Sequence, residues 1–150
     1  MHLKIPPALV TVITALLMYL VARFLPFGDF NFTGRFYVLW ALFGVGMFLG
    51  TVSLIQFFTS KTSIDPRDPQ KASELVVSGI YKISRNPMYL SLLLLLLAWG
   101  LYLPNAFNFL VLVFFVAYMN KFQILPEEQA LSIKFGEAYK QYVKNVRRWF

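Results

Sequence analysis

The chain has 150 residues, the length of one ordinary domain. It is 58% hydrophobic and 14% charged, against roughly 45–50% and about 25% in soluble proteins, and a soluble 17.3 kDa domain has too much surface for its volume to hide that apolar area. Zero cysteines exclude disulfides, thiolate zinc sites, iron–sulfur clusters and a cysteine nucleophile, and a single histidine, His2, leaves no His-based metal site or dyad.

Three stretches without Lys, Arg, Asp or Glu are long enough to cross a bilayer, which takes about 20 apolar residues. The first, residues 5–22, opens with Pro6 and Pro7, where a helix start tolerates proline. Lys4 precedes it as in a signal peptide, but Val21-Ala22-Arg23 offers no small-x-small cleavage site, so it reads as a retained span. The second, residues 36–60, carries Gly44, Gly46 and Gly50, which suit close helix packing. The third, residues 86–120, would reach about 50 Å as one helix, against about 30 Å of hydrocarbon. Leu103-Pro104-Asn105 interrupts it with turn chemistry. The sequence therefore predicts an all-α integral membrane protein, one domain over residues 1–150. Its four spans fall at about 5–25, 36–58, 87–103 and 106–125, the last two forming a tight hairpin.

Residues 126–149 have a different pattern. Leu131, Phe135, Ala138, Tyr139, Tyr142, Val146 and Trp149 recur at three- and four-residue steps, opposite Lys134, Glu137, Gln141, Lys144 and Arg148. This predicts an interfacial amphipathic helix with its apolar face on lipid. Pro126 suits its first turn, and Glu127 and Glu128 complement the positive end of its dipole.

The net charge is +7. With the N-terminus, residues 61–85 and the tail from Lys121 placed on one side, that side holds every Lys and Arg except Arg23 and Arg35. The pattern predicts both termini in the cytoplasm, and the lack of an organelle-targeting signal points to a prokaryotic inner membrane. The basic charge then reports orientation and membrane lipids rather than nucleic acid, for which no helix-turn-helix, zinc-finger or aromatic RNA-binding signature is present.

No span carries a charged residue in its interior, which argues against coupled transport. Polar chemistry gathers instead in two stretches, one leading into the third span and one leaving the fourth, and the hairpin brings them together. They offer Arg85, the pair Glu127-Glu128 and the hydroxyls of Tyr81 and Tyr89. Each has an ordinary reading too: Arg85 as a membrane anchor, the tyrosines as an aromatic belt, Asn86-Pro87 as a helix start. The adjacent carboxylates fit that reading least, because like charges repel and call for a cationic partner.

Leu75-Val76-Val77-Ser78-Gly79-Ile80-Tyr81, followed by Ser84-Arg85-Asn86-Pro87-Met88-Tyr89, resembles the signature of the isoprenylcysteine carboxyl methyltransferase-like family, membrane enzymes related to phospholipid methyltransferases. Pro126-Glu127-Glu128, Phe135-Gly136-Glu137-Ala138-Tyr139, Tyr142 and Arg147-Arg148-Trp149 resemble its second motif, and Thr62-Ser63-Ile64-Asp65-Pro66 its lead-in. The resemblance covers roughly residues 60–150. It implies an S-adenosylmethionine-dependent methyltransferase that releases S-adenosylhomocysteine and acts on a lipophilic small molecule or lipid at the cytoplasmic face. By resemblance, Ser73, Glu74, Leu75, Val76, Gly79, Tyr81, Asn86, Pro87, Met88, Tyr89, Glu127 and Glu128 line the cofactor, and no metal is implied. Carboxylates suit a cofactor with a sulfonium, an ammonium and ribose hydroxyls. No Gly-rich nucleotide loop points to the soluble methyltransferase fold.

A carboxylate acceptor is ionised at neutral pH and needs no general base, so its O-methylation is the favoured chemistry, and Arg85 takes the catalytic role of steering an anionic acceptor or the cofactor carboxylate. An amine, as in phospholipid N-methylation, would first lose a proton, to Glu128 or Tyr89. Two departures stand out. Asn86 stands where the family often has His. Gln123 stands where the eukaryotic prenylcysteine enzymes have Arg, with Lys121 the nearest cation, which points away from prenylated protein as the substrate. The rivals are a nicotinamide-dependent reductase, as in the longer sterol reductases, and a non-catalytic membrane module.

Overall fold

A computed structural model describes residues 5–25, 27–59 and 75–150; Ser73, Glu74 and the 62–66 lead-in lie outside the described residues. Those described are helical apart from turns and one isolated bridge, Asp29 to Asn105. The helices are α1 (Pro7–Phe24), α2 (Arg35–Thr59), α3 (Pro87–Tyr102), α4 (Asn108–Tyr118) and α5 (Leu125–Asn145). A 3-10 turn at Gly79–Lys82 precedes α3, and a π-helical stretch, Met119–Ile124, joins α4 to α5. Helices α1, α2 and the continuous run Asn108–Asn145 are long and apolar enough to cross a membrane, which fits an integral membrane protein. At 16 residues, α3 is about 24 Å long, short of a full hydrocarbon core of about 30 Å.

The main core is built by Val10 and Met18 of α1, Tyr89 and Leu96 of α3, and Leu112, Phe115, Met119 and Ile124 along the last run. Helix α2 lies close against α3. A methyl group on Gly46 would sit 3.2 Å from Leu95, and one on Gly50 3.1 Å from the Ser91 hydroxyl, whereas Gly44 faces open space. The two inward glycines thus set the backbone approach.

The expected hairpin between α3 and α4 is present, and buried Asn105 fastens its turn. Its side-chain amide donates to the Leu25 carbonyl at 2.8 Å and to the Phe27 carbonyl at 3.2 Å, and its oxygen accepts from the Phe107 N–H at 2.9 Å. Asn105→Ala leaves two carbonyls and an N–H without that partner. At about 1 kcal/mol per bond, a loss of roughly 2–3 kcal/mol is expected in thermal unfolding of the detergent-solubilised protein.

The tail departs from expectation in three ways. Pro126 does not start a helix; it sits inside a continuous helical run, after the π stretch. The physical reason is that proline has no N–H for the Phe122 carbonyl and its ring crowds that turn, which the wider π stretch accommodates. The dipole argument for Glu127 and Glu128 lapses with the free N-terminus. Next, α5 breaks at Gly136 (φ 53, ψ −121) and ends at Asn145 rather than reaching 149. Finally, its apolar face lies on protein rather than on lipid. Tyr139, Tyr142 and Val146 form a second cluster with Ile80 and Tyr81, backed by Leu131, Phe135, Leu75, Val76 and the α2 residues Leu49, Val52 and Phe57.

Candidate functional site

The site lies where the 3-10 turn, the start of α3 and the first turn of α5 meet. Gln56 of α2 shapes the turn with both ends of its amide: Nε2 donates to the Ser78 carbonyl at 3.0 Å, and Oε1 accepts from the Ile80 N–H at 3.1 Å. Gly79 adopts φ +58, and a Cβ there would run into the Gln56 side chain. Gly79→Ala combines left-handed strain with that collision. A loss of about 2–5 kcal/mol is expected, from about 1–2 kcal/mol of αL strain plus overpacking of about 1–3 kcal/mol, read as thermal unfolding.

The clamp presents buried Tyr81, whose carbonyl accepts from the Tyr142 hydroxyl at 2.6 Å. Burial, then the negative charge of Glu127, pushes the Tyr81 hydroxyl up to about 12. Tyr139 is also pushed up to about 12, by burial and then by Glu128, with Arg85 and Arg148 pulling it back. Burial likewise raises Tyr142. These three phenols are therefore neutral O–H groups at neutral pH.

Across the hairpin, the Tyr89 hydroxyl donates to Glu127 Oε1 at 2.6 Å, a short charge-assisted bond between α3 and α5. Glu128, one residue on, is held by two arginines. Arg148 grips it in bidentate fashion, Nε to Oε1 at 3.1 Å and Nη2 to Oε2 at 2.6 Å, and Arg85 Nη1 lies 3.2 Å from Oε1. The hydrogen bonds to Glu128 raise the Arg148 guanidinium further above its ordinary range. Arg85 and Glu128 side chains are only 11% and 14% exposed, so water screens this pair little. The cationic partner that the adjacent carboxylates call for comes from the chain itself. Arg85 Nε is buried with no hydrogen-bond partner among the described residues.

Of the residues singled out by sequence, Arg85, Tyr81, Tyr89, Glu127 and Glu128 converge here. Asn86 caps the approach to α3 and its Nδ2 donates to the Arg148 carbonyl at 3.0 Å. Pro87 is buried at the first turn of α3, and the Met88 carbonyl accepts from Ser91 at 2.7 Å. Leu75 and Val76 pack against the second cluster, and Gly79 is accounted for by the Gln56 clamp. Sequence reasoning did not assign Gln56, Tyr139, Tyr142 or Arg148 to the site, although the last three stand in the motifs quoted for the family resemblance. The two tyrosines did carry a signal, because a phenol on a buried helix face needs a partner for its O–H.

The sequence profile of the family described as phospholipid methyltransferase matches residues 32–138. A 62-residue stretch is 52% identical to an uncharacterized protein of Haemophilus influenzae, covering 41% of this chain and 98% of that relative. A Delta(14)-sterol reductase of Mus musculus is 33% identical over 95 residues, which cover 55% of this chain and 22% of the reductase. No solved structure matches. The matched residues include the Gln56 clamp, Arg85, Tyr89 and the Glu127-Glu128 pair, so the profile runs through the site just described: the chain belongs to the phospholipid methyltransferase family.

Proposed function

We propose that the protein is an S-adenosylmethionine-dependent methyltransferase for a lipophilic acceptor, with the site at the cytoplasmic face of a prokaryotic inner membrane and both termini on that side. The observation that carries this reading is the Tyr89–Glu127 bond beside the Arg85–Glu128–Arg148 cluster, set at one end of an apolar bundle within the family's matched region.

The donor set fits the cofactor. Glu127 suits its cationic groups or ribose hydroxyls, and the buried unpartnered Nε of Arg85 suits its carboxylate or an anionic acceptor. When bound, S-adenosylmethionine supplies an electrophilic methyl group on a positive sulfur. The chain's part is to bind, orient and exclude water, and positioning of this kind is worth about 7–11 kcal/mol of barrier. The neutral phenols of Tyr81 and Tyr139 are poor bases at neutral pH, which favours an acceptor already ionised, a carboxylate. An apolar groove of about 480 Å³ between α1 and α4, lined by Val10, Leu17, Val111 and Phe114, is separate from the site, and none of the site's residues lines it. With Gln123 where the eukaryotic prenylcysteine enzymes have Arg, a membrane-embedded amphiphile suits the site better than a prenylated protein.

A second reading, nicotinamide-dependent reduction, is favoured by the similarity to the sterol reductase. Thermal unfolding of the detergent-solubilised protein with S-adenosylhomocysteine, and in parallel with NADPH, separates the two. A ligand at 100 times its Kd adds about 2.7 kcal/mol to the folded state. Stabilisation by S-adenosylhomocysteine alone is the expected result. Stabilisation by NADPH alone moves the protein to reduction, and no effect from either leaves a non-catalytic membrane module.

A further inference from the structure

Beyond α5 the chain turns back over the site as a short strap. Helix α5 ends at Asn145, Val146 is extended (φ −126, ψ 132), and its side chain is buried in the second cluster with Tyr139 and Tyr142. The next residues lie across the start of α3. The Arg147 carbonyl accepts from the Arg85 N–H at 3.0 Å, and the Arg148 carbonyl accepts from Asn86 Nδ2 at 3.0 Å and from the Ser84 hydroxyl at 3.3 Å. The Arg148 side chain grips Glu128, and Trp149 Nε1 donates to Asn120 Oδ1 at 3.1 Å while its ring rests on the edge of the main core.

The strap therefore occupies groups on Asn86 and Glu128, two residues that the family resemblance assigns to the cofactor. It is held mostly by hydrogen bonds and one ion pair, with Arg148 and Trp149 only half-buried and Arg147 exposed. Bonds of this kind exchange with water at small net cost, so segments held by them open locally while the core stays folded. Val146, anchored in the cluster, is the natural pivot.

We propose that residues 147–149 are a latch over the candidate cofactor pocket, which lifts about Val146 each time cofactor enters or product leaves. The latch closes when Arg148 seats on Glu128 and Trp149 on Asn120. As the gate of a cofactor pocket, it rests on the methyltransferase reading above.

The chain has no cysteine, so introduced thiols are unique. Ser84 is 1% exposed beneath the strap, and in Ser84→Cys the rate of thiol labelling reports lifting without any ligand. Ending the chain at Val146 is expected to speed that labelling at least tenfold; equal rates in the full and shortened chains overturn the latch. In Asn120→Cys/Trp149→Cys, a short reductant-cleavable cross-linker between the two thiols holds the strap down. Dissociation of S-adenosylhomocysteine is expected to slow at least tenfold on linking and to recover on reduction. Unchanged dissociation in a protein that binds the ligand overturns the latch alone. Failure of the unlinked protein to bind S-adenosylhomocysteine overturns the cofactor reading instead, and the labelling comparison still decides whether the strap lifts.

Discussion

Glu127→Gln is expected to lower the affinity for S-adenosylhomocysteine by roughly 30- to 150-fold while leaving the fold in place. The substitution keeps an oxygen that can accept from the Tyr89 hydroxyl, now 2.6 Å from Glu127 Oε1, so the tie between α3 and α5 survives as a neutral hydrogen bond. What disappears is the negative charge. Hydrogen bonds to a charged group contribute about 1.5–3 kcal/mol each, and a loss at the upper part of that range gives the stated factor. Thermal unfolding of the ligand-free variant should stay within about 1 kcal/mol of the parent, the difference between a charged and a neutral bond. Comparing the two ligands then says which groups Glu127 meets. S-adenosylmethionine alone carries the sulfonium charge, so a larger loss for it than for S-adenosylhomocysteine puts the carboxylate near sulfur. Equal losses put it at the ammonium or the ribose, which both ligands share. Undiminished affinity for both would remove Glu127 from the site.

The pairing across the hairpin was legible in the sequence because two separate signals agreed. The charge-free run 86–120 is too long for one span, and Leu103-Pro104-Asn105 marks its fold-back, so residues just before it and just after it meet at one end. The Tyr89–Glu127 and Arg85–Glu128 contacts are the direct consequence. The strap was hidden for the opposite reason. Val146 and Trp149 continue the three- and four-residue spacing of α5, and Arg148 continues its polar stripe, so nothing local ends the helix at Asn145. It ends because tertiary partners outcompete one more helical turn: the Arg147 and Arg148 carbonyls take the Arg85 N–H and the Asn86 amide, and Arg148 takes Glu128.

The Gly136 break lies between these cases. Glycine inside a helix costs about 1 kcal/mol relative to alanine and is a visible weak point. The amphipathic pattern runs on through it, so periodicity alone favours an unbroken helix. The left-handed φ of 53 that glycine permits redirects the second half of α5, and that half brings Tyr139 and Tyr142 onto the turn at Tyr81. Pro126 misleads in the same way. It reads as a helix start by local rules, yet the helix passes through it, because the wider π stretch upstream accommodates the ring and the missing N–H.

Glu128→Ala is expected to damage stability far more than Glu127→Gln, although the two residues are adjacent. Glu128 is the counter-charge for Arg85, whose side chain is 11% exposed, and for Arg148, at 33%. Removing one partner of a buried pair costs about 3–5 kcal/mol, because the remaining charge is left without compensation. The Arg148 share is smaller than the Arg85 share, since water reaches its guanidinium and screens it. A loss of about 3 kcal/mol is therefore expected, read as thermal unfolding in detergent, with two guanidinium groups left facing one another. That geometry fixes the sign of the coupling. Arg148→Ala alone leaves Glu128 still paired with Arg85 and should cost about 1 kcal/mol, the range of a partly exposed pair. Glu128→Ala/Arg148→Ala removes the repulsion as well as the attraction, so the double variant should be more stable than Glu128→Ala alone. A double variant whose loss equals the sum of its singles, or a Glu128→Ala protein as stable as the parent, would show that the arginines do not depend on this carboxylate. With the expected result the adjacent acids divide their work: Glu128 pairs with Arg85 and Arg148 and holds the strap to α3, and Glu127 ties α5 to α3 through the Tyr89 hydroxyl.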